Sequence, residues 1–241
     1  MAKKITQEQQ VIDALREQGG YATLGELYHL VDTRLWATKT PNETIRRIVQ
    51  VSNEIFKIQP GLWALEECRE KVLQRFEIDT RDSMNNEYFN HSYYQGLITK
   101  IGNMNGFKTY VPGQDKNKKF LDTPLVKICS TVQLPEFSYP RITNRARTVD
   151  VIWFNERLMP HTFFEVEHST DFQNSLGKFC DLQDFYCRFF IVAPRNRRKQ
   201  FEEILTRTAF RDICKRVKFN TYDDISKQYE AMCVINKFNC I

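Results

Sequence analysis

The chain has 241 residues, enough for one large domain or two small ones, and its 41% hydrophobic and 27% charged residues are typical of a soluble globular protein. No apolar run approaches the length of a membrane helix, and the N-terminus lacks the apolar core of a signal peptide. The net charge of +5 permits nucleic-acid binding. Seven cysteines without a Cys-x-x-Cys pair or a zinc-ligand spacing indicate reduced thiols and a cytoplasmic protein.

The first 66 residues carry the signals of three helices and a hairpin. Capping boxes mark three helix starts, at Thr6 with Gln9, Thr23 with Glu26, and Thr40 with Glu43. Apolar runs at 55–58 and 62–65, separated by a turn, predict the hairpin. Three helices and a two-stranded wing form a winged helix-turn-helix, in which the third helix enters a DNA groove. The residues that this helix would present to DNA are Lys39, Asn42, Thr44, Arg46 and Arg47.

The charge of this segment leaves a second function open, because winged helices also serve as protein-docking modules. Residues 1–66 contain eight Lys and Arg and eight Asp and Glu, so the segment is neutral. Contacts to phosphates dominate the affinity of DNA-binding proteins, and neutrality therefore weakens the electrostatic argument for DNA.

Four stretches of the same segment form a joint pattern. They are VIDAL at 11–15, GYATLGEL at 20–27, KTPNETIRR at 39–47 and FKIQPGLWAL at 56–65. The pattern resembles the HARE-HTH winged-helix family, whose members are found fused to restriction endonucleases and in chromatin-linked proteins. The resemblance covers residues 5–66 and implies a winged-helix domain over residues 1–66.

A charged segment and a new apolar pattern follow this domain. Residues 67–87 predict a linker helix, and the apolar stripe at 91–104 predicts a second helix. A strand is expected at 107–111, and a polar loop at 114–119.

Three arginines end the next stretch, which is harder to assign. Prolines in 121–147 indicate loops between short strands. The arginines are Arg141, Arg145 and Arg147. They are candidates for contacts to DNA phosphates. The alternatives are solvated charge and, for Arg145 and Arg147, ion pairs with carboxylates exposed on the following strands.

Three carboxylates lie within the two apolar strands that come next. Asp150 is on the first strand, and Glu165 and Glu167 are on the second. Residues i and i+2 of a strand share a face, so Glu165 and Glu167 point the same way, and Asp150 converges on them if the strands are neighbours. Ionised carboxylates in apolar surroundings require a shifted pKa or a cation. A cluster of hard oxygen ligands predicts a Mg²⁺ site, in which Mn²⁺ can substitute.

Helices and strands alternate through the rest of the chain. The predicted elements are a helix from residue 171, a strand at 189–193, a helix through 201–205, a strand at 217–219, a helix capped by Thr221 with Asp224, and a tail strand at Val234 and Ile235. This order predicts an α/β fold, with a mixed sheet that has helices on its faces.

The element order over residues 88–225, with Asp150 on one strand and Glu165 on the next, resembles the restriction-endonuclease-like, or PD-(D/E)xK, nuclease superfamily. There the next strand carries a (D/E)-x-K signature, so Asp150 and Glu165 correspond to the metal-binding acidic positions. Glu167 occupies the usual Lys position. This departure leaves open whether Glu167 or Lys178 orients or deprotonates the attacking water.

Two short runs, EVEHST at 165–170 and SLGKFCDL at 175–182, are similar to a variant among predicted restriction endonucleases that has a basic residue at the Lys178 position. The resemblance implies a catalytic domain over residues 88–241 that hydrolyses phosphodiester bonds. Its implied catalytic residues are Asp150, Glu165, Glu167 and Lys178, and the implied metal ligands are Asp150, Glu165 and Glu167.

We therefore expect a Mg²⁺-dependent type II restriction endonuclease that cleaves double-stranded DNA at a specific sequence. A homodimer is expected, because cutting both strands needs two sites or two visits, and no membrane partner is expected. Two alternatives stay open: a non-catalytic DNA-binding regulator that retains a worn nuclease fold, and an endonuclease that depends on DNA modification.

Overall fold

The structure is a computed structural model that describes residues 5–78 and 85–239. Contacts group the chain into two units, Met1–Arg81 with Ser226–Ile241, and Asp82–Ile225. The domain boundaries expected at residues 66 and 87 stay predictions, and part of the predicted linker, residues 79–84, lies outside the described residues. Within the described residues, no helix is long and apolar enough to cross a membrane.

The first unit consists of short helices and a three-stranded antiparallel sheet. In chain order its elements are α1 Gln7–Glu17, β1 Tyr21–Thr23, α2 Leu24–Leu30, α3 Pro41–Val51, β2 Ile55–Gln59, β3 Leu62–Leu65 and α4 Arg69–Arg75. The strand order is β1-β3-β2, so the predicted hairpin β2–β3 is present and a third strand pairs with its second strand. The core contains Val11, Leu15, Leu27, Ile45 and Trp63.

Of the three predicted capping boxes, the one at Thr23 is confirmed in full, and the one at Thr6 is confirmed only for the Thr6 side chain, because the Gln9 side chain bonds Asp13. The Thr6 side chain accepts a hydrogen bond at the start of α1, and Thr23 and Glu26 form a reciprocal capping box at α2. The capping box expected at Thr40 is wrong, because its side chain makes no cap hydrogen bond. Helix α3 begins with Pro41, as expected from the fixed φ that suits proline to the first helical position. The Glu43 carboxylate faces Arg46, 3.6 Å away.

The second unit is built on a mixed sheet. Its elements are α5 Asn85–Met104, β4 Lys108–Tyr110, β5 Lys119–Phe120, β6 Thr123–Pro124, α6 Leu125–Ile128, α7 Pro140–Ala146, β7 Val151–Phe154, β8 Pro160–Val166, α8 Phe172–Asp181, β9 Arg188–Ala193, α9 Arg198–Leu205 and β10 Val217–Thr221. The last helix, α10 Tyr222–Asn239, begins in this unit and belongs to the first unit from Ser226 onward. The strand order is β10-β9-β8-β7-β4. Strands β8, β9 and β10 are parallel, whereas β7 is antiparallel to both neighbours, so the predicted mixed α/β sheet is confirmed.

Two glycines allow α5 to approach its neighbours closely. A Cβ at Gly96 would lie 2.3 Å from the Phe120 ring, and one at Gly102 would lie 2.5 Å from the Trp153 indole nitrogen. Both distances are too short for a real side chain, so the close contact requires glycine at these positions. The helix is therefore held against β5 and β7, at a distance from which its polar side chains reach the start of β7.

Two predictions for this part of the chain are wrong. Residues 140–146 form helix α7 rather than a loop, because Pro140 takes the first helical position, where its missing N–H is not needed. Val234 and Ile235 continue α10 rather than forming a tail strand. The buried stripe of Ile225, Tyr229 and Cys233 at intervals of four residues carries the helix through this stretch.

Candidate active site

Asp150 lies at the start of β7, next to the neighbouring strand β8. It directly precedes β7, and the antiparallel register that pairs Val151 with Phe164 brings it beside Glu165. The backbone N–H of Val166 donates a hydrogen bond of 2.8 Å to Asp150 Oδ2. The carboxylate is therefore fixed by the neighbouring strand, and only 7% of the residue is exposed.

Glu165 and Glu167 point to the same face of the sheet, as their spacing predicts. Glu165 is on β8, and Glu167 directly follows the strand. Both carboxylates contact the hydroxyl of Ser175 on α8, which lies 3.0 Å from Glu165 Oε2 and also bonds Glu167 Oε1. Ser175 is fully buried, and the two glutamates are 1% and 6% exposed. Since a hydroxyl has one proton, Ser175 can donate to only one of them at a time.

Lys178 adds a positive charge to this cluster. It lies one turn after Ser175 on α8, so both side chains occupy one face of the helix. The Lys178 ammonium lies 3.0 and 2.8 Å from the two Glu165 oxygens and donates to the backbone carbonyl of Thr148 at 3.0 Å. The structure thus brings together the four predicted catalytic residues.

Helix α5 supplies two polar side chains from the other direction. His91 Nε2 lies 3.3 Å from Asp150 Oδ2. Gln95, one turn later, donates through Nε2 to Asp115 Oδ2 at 2.8 Å and to the Asp150 carbonyl at 3.2 Å. Lys118 is paired with the other Asp115 oxygen at 2.6 Å.

This second group was not predicted from the sequence. His91, Asp115 and Asp150 each offer a ligand atom, and these atoms lie within 4.8 Å of one another. The signal for His91 and Gln95 was their i, i+4 spacing, which places both on one face of a helix. Asp115 lies in the predicted polar loop, where nothing in the sequence distinguishes it from its neighbours.

Burial and the neighbouring charges act differently on the three strand carboxylates. Burial favours the neutral form of Asp150, but His91, the Val166 N–H and Lys178 outweigh it and hold the Asp150 pKa below its usual value. Burial, followed by the charge of Asp150, raises the pKa of Glu165 well above its usual value against the pull of Lys178. Burial also raises the pKa of Glu167, to about 7, although the Ser175 hydrogen bond opposes the shift.

Burial and the facing carboxylates act in opposite directions on the pKa values of Lys178 and His91. Burial would lower the pKa of Lys178, but Glu165 raises it above its usual value. Burial likewise opposes the charged form of His91, yet Asp150 raises the His91 pKa. In both residues the facing carboxylate stabilises the protonated form, which burial disfavours.

The charge of the whole cluster fits a bound divalent cation. Asp115, Asp150, Glu165 and Glu167 are all buried, and Lys118 and Lys178 are the ammonium groups paired with them. Because a bound cation displaces the protons of its ligands, the occupied site would hold four ionised carboxylates and a neutral His91, which leaves two negative charges in excess of the two ammonium groups. Oxygen-rich, negatively charged sites of this kind suit Mg²⁺ or Mn²⁺.

The three arginines of α7 and its C-terminal end have different surroundings. Arg141 and Arg147 are exposed, whereas the Arg145 guanidinium pairs with Asp181 at 2.6 Å. The alternative that Arg145 pairs with exposed strand carboxylates is wrong, because those carboxylates are buried. A cavity of about 810 Å³ between α7 and α8 is lined by Arg141, Asn144, Arg145, Thr148 and Asp181, among others. It reaches Thr148, whose carbonyl binds Lys178.

The candidate DNA contacts of α3 also differ in accessibility. Lys39 and Arg47 are exposed, and Asn42 and Thr44 are partly buried. The Thr44 hydroxyl donates to the Thr40 carbonyl at 3.2 Å. Arg46 is held by the buried carboxylate of Glu230 on α10 at 2.7 Å. Lys39 and Arg47 therefore have charges that are available to a partner.

Comparisons with known proteins find a family and a curated relative that match parts of this chain. The family described as Type II restriction enzyme NmeDI C-terminal domain matches residues 64–241, which include the whole cluster. Type II restriction enzyme NmeDI from Neisseria meningitidis serogroup C is 32% identical over 125 residues, a stretch that covers 47% of this chain and 35% of that protein. The match thus spans about a third of the length of this curated relative. No solved structure matches the chain.

Proposed function

The chain belongs to the family of the type II restriction enzyme NmeDI C-terminal domain, and from this premise we propose that it is a restriction endonuclease that hydrolyses phosphodiester bonds of double-stranded DNA. The observation that carries the proposal is the burial of Asp150, Glu165 and Glu167 around one cation, Lys178. Buried carboxylates that repel one another destabilise a fold, and groups with strongly shifted pKa values concentrate in active sites.

We propose Mg²⁺ as the cofactor, with Mn²⁺ as a substitute, and Asp150 and Glu165 as its ligands. A cation bound there supplies a Lewis acid that lowers the pKa of water and offsets charge on the phosphate. The Val166 N–H holds Asp150 in the orientation needed for binding. Lys178 binds Glu165 in the same way from the side of α8.

Glu167 is the proposed general base, in the position where the PD-(D/E)xK signature has a lysine. Its pKa of about 7 allows it to accept a proton from the attacking water near neutral pH. The Ser175 hydroxyl orients the Glu167 carboxylate by its hydrogen bond to Oε1. The Lys178 ammonium stabilises negative charge that develops on the phosphate.

The proposed path of DNA to this cluster follows the exposed arginines. Arg141 and Arg147 are free to contact phosphates, and Arg145 lines the same cavity as Arg141 while it pairs with Asp181. We propose that residues 1–66 form a winged-helix domain of the HARE-HTH type, which binds DNA through α3. Recognition of a specific sequence and assembly as a homodimer complete the proposal, since both strands must be cut.

The catalytic part of the proposal is tested with Asp150→Asn, which keeps the size of the side chain and removes its charge. Wild-type protein should cut supercoiled plasmid in Mg²⁺ or Mn²⁺, and the variant should cut it at least about 10²–10³ times more slowly. Asp212→Asn, an exposed position on the same unit, should cut at the wild-type rate. Intact plasmid with the wild type in both metals, on methylated and on unmethylated DNA, would refute the nuclease function.

The DNA contact of α3 is tested separately, by binding rather than cleavage. Arg47→Ala should weaken DNA binding and reduce the slope of log affinity against log salt concentration by about 1, as expected for a lost phosphate contact. Arg46→Ala should change binding less, because Arg46 pairs with Glu230. An unchanged salt slope for Arg47→Ala, measured by fluorescence anisotropy, would favour the protein-docking alternative for this domain.

A further inference from the structure

A basic cavity lies at the edge of the sheet opposite the carboxylate cluster. Its volume is about 600 Å³. The lysine and arginine side chains that line it are Arg188, Lys215, Arg216 and Lys218. Strands β8, β9 and β10 are parallel, so their first residues share one edge of the sheet, and the cavity lies at that edge. His161 on β8 also lines the cavity, and Glu165 lies four residues later, about 13 Å further along the strand. The cavity is therefore separate from the proposed catalytic cluster.

The positive charge of this cavity exceeds the negative charge that the lining residues supply. Arg188, Lys215 and Lys218 are exposed, and none of them pairs with a carboxylate in the part of the chain that the structure describes. Asp184 is the acidic residue of the lining. Burial, followed by the positive charge of Arg188, lowers the pKa of His161. A cavity with such a charge distribution attracts an anion.

The loop between α8 and β9 is held in place beside the cavity and presents an aromatic ring to it. The Arg216 guanidinium donates hydrogen bonds to the backbone carbonyls of three loop residues, which are Gln183, Phe185 and Cys187. Tyr186 lies between two of these fixed residues, is fully exposed, and lines the cavity. The bonds of its neighbours restrict the backbone at Tyr186, so its ring is available at the rim of the cavity without a rearrangement of the loop.

We propose that this cavity binds a nucleotide whose base is unpaired, with the phosphate held by Arg188, Lys215 and Lys218 and the base stacked on Tyr186. Arginine and lysine are the side chains that bind phosphate oxygens, and every base has a face that can stack on an aromatic ring. The cavity volume lies in the range of about 300–1,000 Å³ that is typical of ligand sites. A single-stranded segment of DNA and a free mononucleotide both offer this chemistry, whereas the bases inside a duplex are stacked on one another. The site goes beyond the proposed cleavage and does not depend on it.

The experiment measures binding of a fluorescein-labelled oligothymidylate to the full chain by fluorescence anisotropy, in EDTA so that metal-dependent cleavage does not occur. The variants are Tyr186→Ala, which removes the ring, and Lys218→Met, which removes one charge. Both positions are exposed, so the variants should fold as the wild type does. The matched controls are Tyr186→Phe, which keeps the ring, and Lys127→Met, at an exposed lysine on α6. Thymidine monophosphate and a DNA duplex of the same length are the competitors.

Tyr186→Ala should weaken binding of the oligonucleotide at least about fivefold, because the stacked base loses its partner. Lys218→Met should reduce the slope of log affinity against log salt concentration by about 0.7, as expected for one phosphate contact to a single strand. Both controls should bind as the wild type does.

The competitors distinguish the two sources of the nucleotide. Displacement by thymidine monophosphate supports a site for a free nucleotide, and displacement by unlabelled oligothymidylate alone supports a site for a strand. Unchanged affinity in Tyr186→Ala, an unchanged salt slope in Lys218→Met, or a duplex that competes as well as the single strand overturns the inference. Asp150→Asn should bind the oligonucleotide as the wild type does, so the outcome is independent of whether the chain cuts DNA.

Discussion

The buried carboxylates around Asp150 are contacted from two sides, by α8 and by α5, and the contacts differ between the two sides. On the α8 side, Lys178 and Ser175 bind the glutamates, so the protein itself supplies a cation and a hydroxyl. On the α5 side, His91 lies against Asp150, and the Gln95 amide nitrogen and the Lys118 ammonium bind Asp115. The α8 side thus binds two glutamates through one helix, whereas the α5 side binds two aspartates through a helix and a loop. This difference indicates that α8 sets the positions of the glutamates and that α5 sets the position of Asp150.

The largest change in cleavage and stability is expected from Lys178→Met, which removes the ammonium group that pairs with Glu165 from α8. Cleavage should fall by about 10²–10³-fold, because the charge that stabilises the phosphate is lost. The free energy of unfolding should fall by up to about 3–5 kcal/mol, since Glu165 loses its buried partner. Plasmid cleavage and urea unfolding measure the two effects.

A second substitution separates the two effects of Lys178. Adding Glu165→Gln to Lys178→Met removes the unpaired buried charge, so most of the stability should return while cleavage stays lost. Lys199→Met, an exposed lysine on α9, provides the control and should match the wild type. If Lys178→Met unfolds at the same urea concentration as the wild type and cuts DNA equally fast, the ion pair has no role on this side.

A smaller effect is expected from Ser175→Ala, which removes the hydroxyl between Glu165 and Glu167. The loss of the hydroxyl that the two buried carboxylates share should lower the free energy of unfolding by about 1–3 kcal/mol. Ser169→Ala is the matched control, because Ser169 makes an exposed hydrogen bond to Glu87 and its loss should change stability little. Equal unfolding free energies for Ser175→Ala and Ser169→Ala would contradict the positioning role of α8.

Much of the site could be predicted from the sequence because its residues follow local rules. The i, i+2 spacing of Glu165 and Glu167 places both side chains on one face, and the apolar strands around them predict their burial. Lys178 is expected only from the resemblance of residues 175–182 to predicted restriction endonucleases, and the contact of Ser175 with both glutamates was not predicted. Pairing of adjacent strands then brings Asp150 to the glutamates.

The α5 side could not be predicted, since its residues meet only through the tertiary fold. Asp115 and Asp150 are 35 residues apart, and Asp115 lies in a loop without a periodic pattern. His91 is 59 residues before Asp150, and the close packing of α5 on β7 depends on Gly96 and Gly102, whose role is not visible in a helical pattern. Thr40 shows a related limit, because Pro41 starts the helix and the expected capping contact is absent.

The central claim is that the chain cuts double-stranded DNA at the cluster around Asp150. The most direct test is digestion of a sequenced DNA by the wild type in Mg²⁺, followed by mapping of every new end. The proposed function predicts ends at fixed positions relative to one short sequence, and no ends with Asp150→Asn. Ends that are scattered at random would contradict specific recognition, and ends that persist in Asp150→Asn would contradict the assignment of the site.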